Sequence, residues 1–333
     1  MTMPPLGGPS PSAQDRSLPN SSANRRRWMG LGLSLVVVIA VVIGLVVWKA
    51  NHGPGAGTAT PADDGVDRTV GLLREKDPVC DEWIVVSNKL ASNEEKWAAS
   101  NRGVPATAWS PEQRAIFSQV SEAMVMAADQ YEAMLPKARD VVIQELIAQT
   151  IVYLRSYVER VPNYVESDGL IAGVAGNFGT AVTYMCSVVP LLPATNNGEL
   201  RTRSLVPEPA ALRPFLADGD PACTKFVELI DRQRSQLRGW AATDSTIPAA
   251  KWTPSQRALN NAAREVIMRD AAGVRAIAES AKSSIMADLL VTRAEYMQLF
   301  ADRIPAYTQD DALLWTTVTS LGGGLTAACK AVL

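Results

Sequence analysis

A chain of 333 residues with 47% hydrophobic and 20% charged side chains and a net charge of −2 has the composition of a folded protein with an apolar segment added. Its length allows about two domains, and the lack of a basic excess leaves a nucleic-acid partner without electrostatic support. The bias of 23 Arg against 9 Lys fits a bacterial genome of high GC content.

Residues 1–27 are rich in Pro, Ser and Gly with almost nothing to bury, and read as a disordered tail. Residues 28–48 carry no charge and have Trp28 and Trp48 at their ends, so about 20 residues are available to cross a bilayer as one helix. Before the span, Arg16, Arg25, Arg26 and Arg27 outweigh Asp15, which places that side in the cytoplasm. The run is too long for a secretory signal and no A-x-A site follows it, so it reads as an uncleaved signal anchor. Everything beyond Lys49 is then extracytoplasmic. Residues 49–76 form a juxtamembrane linker that holds His52, the sole histidine.

From residue 77 the chain repeats itself at a spacing of 143. Asp77-Pro78-Val79-Cys80 matches Asp220-Pro221-Ala222-Cys223, and Trp109-Ser110-Pro111-Glu112-Gln113-Arg114-Ala115 matches Trp252-Thr253-Pro254-Ser255-Gln256-Arg257-Ala258. Without a gap, 29 of the 113 pairs between 77–189 and 220–332 are identical, too many landmarks in one register for unrelated segments. The units are therefore duplicates, at a period far above that of solenoids. All four cysteines fall on the register. Outside the cytoplasm an even set reads as disulfides, and of three possible pairings the repeat selects Cys80–Cys186 and Cys223–Cys329.

Within each unit the apolar spacing is three and four, and strand alternation is absent. The first helix carries Cys80, Trp83, Val86 or Ser87, and Leu90 on one face; its counterpart carries Cys223, Phe226, Ile230 and Leu237. The second helix starts in the repeated Trp motif. Ser110 or Thr253 suits the N-cap, Pro111 or Pro254 the first helical position, and Gln113 or Gln256 completes a capping box. With Arg114 or Arg257 at N4, a Trp–Arg stack is expected in place of the usual apolar staple. The third helix contains Ile143, Leu146, Leu154 and Tyr157, or Met286, Leu289, Met297 and Phe300, and stops at Pro162 or Pro305. The fourth starts near Ser167 or Asp310. Residues 169–189 and 312–329 are uncharged and long enough to pass for membrane spans, but are diluted with Gly, Thr and Ser, and read as buried fourth helices.

The expected fold is all-α: an N-terminal single transmembrane helix, then two tandem homologous four-helix up-down-up-down bundles over 77–189 and 220–333, each closed by one disulfide. Residues 190–219 form a Pro-rich connection between them, packed across both units or acting as a spacer.

Catalytic signatures are missing, and no cofactor or metal is expected. The sequence contains no H-E-x-x-H, G-x-S-x-G or Walker loop, and its histidine lies outside the bundles, so an enzyme is not expected. The polar candidate is a small anionic pocket from Arg160 and Tyr164, near Pro162 and Asp168, repeated as Arg303 and Tyr307 near Pro305 and Asp311. Helix termination and a cation at a helix C-terminus explain the same residues. A candidate interface is Val141, Ala148 and Val152, an apolar stripe of the third helix interrupted by Glu145. The second unit lacks it, with Ser284 and Glu295 facing Val141 and Val152 in the alignment. Such a stripe is expected to be covered by the other unit, the linker or a partner.

The composite expectation is a single-pass bacterial envelope protein whose ectodomain serves interaction or scaffolding with an envelope or membrane protein. The alternative is a sensory ectodomain for a small apolar or anionic envelope molecule. A continuous apolar cavity would favour the latter.

Overall fold

The computed structural model describes residues 69–73, 75–193, 199–200 and 212–333. The expected tail, transmembrane anchor and most of the juxtamembrane linker lie outside the described residues.

In the first unit the helices are α1 (Cys80–Ala99), α2 (Pro111–Met134), α3 (Val141–Arg160) and α4 (Gly169–Val188). In the second they are α5 (Ala222–Ala241), α6 (Pro254–Ser280), α7 (Ser284–Arg303) and α8 (Ala312–Val332). Consecutive helices pack together in each unit, and the first closes on the fourth, which is an up-down-up-down ring. The disulfides join Cys80 to Cys186 and Cys223 to Cys329, the start of the first helix to the end of the fourth. Closing a loop of 106 residues restricts the unfolded chain by nominally about 4–5 kcal/mol each.

Local sequence explains the helix boundaries. Ser110 and Thr253 each accept a hydrogen bond from the N3 backbone N–H, with Pro at the first helical position. The capping box is reciprocal in the second unit, where Gln256 accepts from the Thr253 N–H at 2.9 Å. In the first, the Gln113 side chain instead donates to the Asn101 carbonyl at 2.8 Å, pinning the preceding loop. Pro136 ends α2 in a 3-10 turn, whereas the equivalent Glu279 lets α6 run to Ser280. Arg160 and Arg303 close the third helices, and Pro162 and Pro305 follow inside 3-10 turns.

The two rings meet through equivalent helices. α4 packs on α8, and α3 approaches α7. Gly173 lies beside Ala327, and Gly323 faces Asn177, so α4 and α8 run antiparallel, the relation an approximate two-fold axis imposes on duplicates. Side chains on Gly323 and Gly324 would collide with Asn177 and Phe178, so the approach requires glycine there. The result is four layers of two helices, in the order α1/α2, α4/α3, α8/α7 and α5/α6. By length and composition alone α4 and α8, with their flanking turns, could cross a membrane, yet half and two-thirds of their apolar windows are buried within the protein.

The segments flanking the first unit also enter the core. Thr69–Val70 (β1) pairs antiparallel with Glu199–Leu200 (β2), and β1 touches both α3 and α7. Val70, Leu72, Leu73 and Leu216 are buried. Phe215 packs its ring between Tyr153 and Phe178, and Gln149 holds the same segment by accepting from the Phe215 N–H and donating to the Arg213 carbonyl. Covered on every side, α3 is buried at all positions from Val141 to Leu154.

Candidate functional site

Both ends of each bundle are tied by repeated side chains. At the cystine end, Asp77 Oδ1 accepts from the Val79 N–H at 3.1 Å, while Oδ2 accepts from the Arg139 and Asp140 N–H groups at 2.8 Å each. Asp220 does the same for Ala222, Lys282 and Ser283. Buried carboxylates thus fasten the first helix to the turn between the second and third. The Asp-Pro-x-Cys repeat marked these positions as equivalent. Their role was hidden because the backbone donors they bind lie 62 and 63 residues away.

At the opposite end, the Tyr164 hydroxyl donates to the Arg102 carbonyl at 2.7 Å and the Tyr307 hydroxyl to the Ser245 carbonyl at 2.7 Å. Their own carbonyls accept from the Ala106 and Ala249 N–H groups. Burial holds both phenols protonated: Tyr164 is raised above the ordinary value and Tyr307 is pushed up to about 12. Arg160 pairs with Asp168 at 3.2 Å, and Arg303 donates across to the Leu191 carbonyl, in the turn that follows α4.

At the positions of the expected anionic pocket, repeated once in each bundle, these side chains already make contacts within the chain. Arg160 and Tyr164 lie at one end of the molecule and Arg303 and Tyr307 at the other, because the fourth helices cross antiparallel. The two hydroxyl hydrogens go to carbonyls, one Arg160 N–H goes to a carboxylate, and one Arg303 N–H goes to a carbonyl. The Trp–Arg stack forms once. Arg257 stands 5.9 Å from the Trp252 ring, but Trp109 lies on Phe117 at 4.0 Å and Tyr164 at 5.5 Å. Phe117 packs on the Trp109 ring in the first unit, whereas the second unit has Asn260 at that position.

Val141, Ala148 and Val152 are 4%, 1% and 8% exposed, so the stripe is covered by the chain itself and offers no free surface. Beside it runs a buried polar stripe at four-residue spacing, Glu145, Gln149 and Tyr153 on α3, with Asp288, Thr292 and Tyr296 at the equivalent positions of α7. Burial raises both phenols above their ordinary value, so Tyr153 and Tyr296 are neutral.

The second bundle also encloses a guanidinium. Arg293, 1% exposed, donates to the Gln233 carbonyl oxygen at 2.8 Å and to the Met297 sulfur at 2.9 Å, with its Cζ 5.8 Å from the Phe226 ring. Burial lowers its pKa to about 10, and Asp270 opposes that shift, so the group stays charged at neutral pH. Its Nε, Gln233 Nε2 and Asp270 Oδ2 have no hydrogen-bond partner.

An open groove of about 350 Å³ runs between α6 and α7, lined by Ala271, Ala272, Ala294, Arg275 and Gln298. It is shallow and alanine-walled, and Arg275 is engaged with Glu295. Among the described residues, no group of three or more His, Cys, Asp or Glu side chains is placed to hold a metal ion.

An uncharacterized protein of Mycolicibacterium smegmatis (strain MKD8) is 24% identical to this chain over 324 residues, covering 92% of this chain and 86% of the relative. No solved structure matches it significantly. The family described as mycobacterial ESX-1 associated protein matches residues 58–333, which takes in both bundles, both disulfides and the segments laced between them, and the chain belongs to that family.

Proposed function

We propose that the chain serves the ESX-1 secretion system as a non-catalytic docking module, anchored in the membrane through residues 28–48 and presenting its two bundles outside the cytoplasm to protein partners. The family match carries the association with ESX-1. The physical support is a filled interior: both bundle cores and the face between them are packed, both ends are tied, and the groove between α6 and α7 is open, with its Arg275 engaged by Glu295. A sensory domain for a small ligand would need an enclosed apolar cavity. A rigid body with its helical outer faces in water suits contact with another protein.

The test is genetic and topological. In a mycobacterial strain lacking the chain, export of ESX-1 substrates should fall, and the full chain should restore it while a chain lacking 28–48 should not. Undiminished export in the deletion strain would discard the reading. Protease added to intact spheroplasts should digest the bundles; their protection would discard the proposed orientation.

A further inference from the structure

The two outer layers of the molecule are equivalent helical hairpins of opposite charge. Residues 80–134, spanning α1 and α2, carry eight carboxylates and four cations, net −4. Residues 222–280, spanning α5 and α6, carry nine cations and six carboxylates, net +3. The layer order puts them on opposite faces, separated by the two inner layers.

Several of these charges are already engaged within the chain. Asp81 pairs with Lys76, Glu82 with Lys137, and Asp129 and Glu132 with Arg155. On the other side Arg264 pairs with Asp302, Arg269 with Asp270 and Arg275 with Glu295. Exposed charges remain after this accounting. Glu95, Glu112 and Glu122 on the acidic layer, and Lys225, Arg232 and Arg238 on the basic one, have no ion-pair partner among the described residues. The acidic layer also exposes Val85 at 68% and Met126 at 51%, apolar surface of the kind an interface core uses.

We infer that the acidic α1/α2 layer of one copy docks on the basic α5/α6 layer of the next, so that the protein associates head to tail with itself. Charge complementarity selects the occupant, since each layer meets its opposite on a second copy. Duplication makes the surfaces similar in form, with α1 and α5 each 20 residues long. Among the described residues, β1 enters between the inner layers, where it touches α3 and α7. A contact between two different faces does not close on itself after one pairing, so it builds rows rather than a sealed dimer.

Charge reversal on the full chain in detergent micelles tests this. Sedimentation of the wild type should show association at about 0.05 M salt that is lost near 0.5 M, where the screening length shrinks to a few ångströms. Arg232→Glu with Arg238→Glu, and separately Glu95→Arg with Glu122→Arg, should each weaken association about ten-fold or more. Mixed together, the two variants should associate, because the acidic layer that the first keeps (net −4) still meets the basic layer that the second keeps (net +3). A wild type that sediments as a single chain at all salt concentrations overturns the proposal. So does a mixture no more associated than its components, or a photo-crosslinker at Glu122 that joins α2 to α2, or only to a different protein, in native membranes.

Discussion

The two bundles share a frame and differ in what fills it. In the first, Trp83 stacks on Tyr131 at 4.0 Å and 21°, and its indole N–H donates to Thr183. In the second those positions are Phe226 and Val274, smaller in both cases, and the space is taken by Arg293 where the first bundle has Thr150. Gln233 replaces Leu90 and Asp270 replaces Ala127 around it. The same glycine accommodates either filling. Gly179 lies 3.7 Å from Trp83 and 3.8 Å from Thr150, and its equivalent Gly322 would place a Cβ 2.8 Å from Arg293 Nε. Interior chemistry thus differs between the two copies. The frame of cystines, aspartate clamps and tyrosine ties is kept in both copies. A duplicate can exchange an aromatic core for a charged one provided volume and end-fastening persist.

That contrast can be broken from either side. The largest effect is expected at Trp83. Trp83→Ala removes the stack and its hydrogen bond and should destabilise the first bundle by about 4 kcal/mol in denaturant unfolding. A loss below about 1 kcal/mol would show that the aromatic pair does not carry the core. Next comes the charged filling. Asp270→Ala leaves Arg293 without its compensating charge and should cost about 3 kcal/mol, whereas the triple change Arg293→Met, Asp270→Ala and Gln233→Leu should be neutral or stabilising, since apolar side chains avoid desolvation. Equal losses for both would mean that the pair is a net stabiliser.

The smallest effect sharpens the comparison along α1. Glu94 stands on the inward stripe where the second bundle has Leu237. Burial pushes its carboxyl up to about 7, against the pull of Arg102. Because the folded pKa is raised, the folded state binds more protons than the unfolded one between pH 4.5 and 7. Stability therefore falls as pH rises through that window. Glu94→Leu should gain about 1–2 kcal/mol at pH 7, after allowing for solvent screening, and almost nothing at pH 4.5. A gain independent of pH would assign the effect to packing instead.

Sequence made some of this legible and left the rest dark for physical reasons. The cysteine register singled out which sulfurs could meet, because equal spacing in duplicates leaves one symmetric pairing. Capping chemistry is local, and the Ser110 and Thr253 starts could be read directly. The Trp109 stack could not, because Phe117 two turns further along the helix competes for the same ring. Relative orientation of the units was invisible: a repeat reports that two modules are alike, not how they cross, and the antiparallel packing of α4 on α8 is what separates Arg160 and Tyr164 from Arg303 and Tyr307. Strand pairing at Thr69–Val70 was equally hidden, since two residues cannot display an alternating pattern. Arg293 gave no signal, as its neighbours Gln233 and Asp270 come from two other helices.

The antiparallel crossing also leaves the paired bundles, taken by themselves, without a top or a bottom. Each of its two ends shows one bundle's cystine and the other bundle's tyrosine tie, so a partner shaped to straddle one end would meet a near copy of the same landscape half a turn away. Choosing between those ends falls to whatever differs from copy to copy, such as Arg160 held by its own Asp168 against Arg303 reaching over to Leu191.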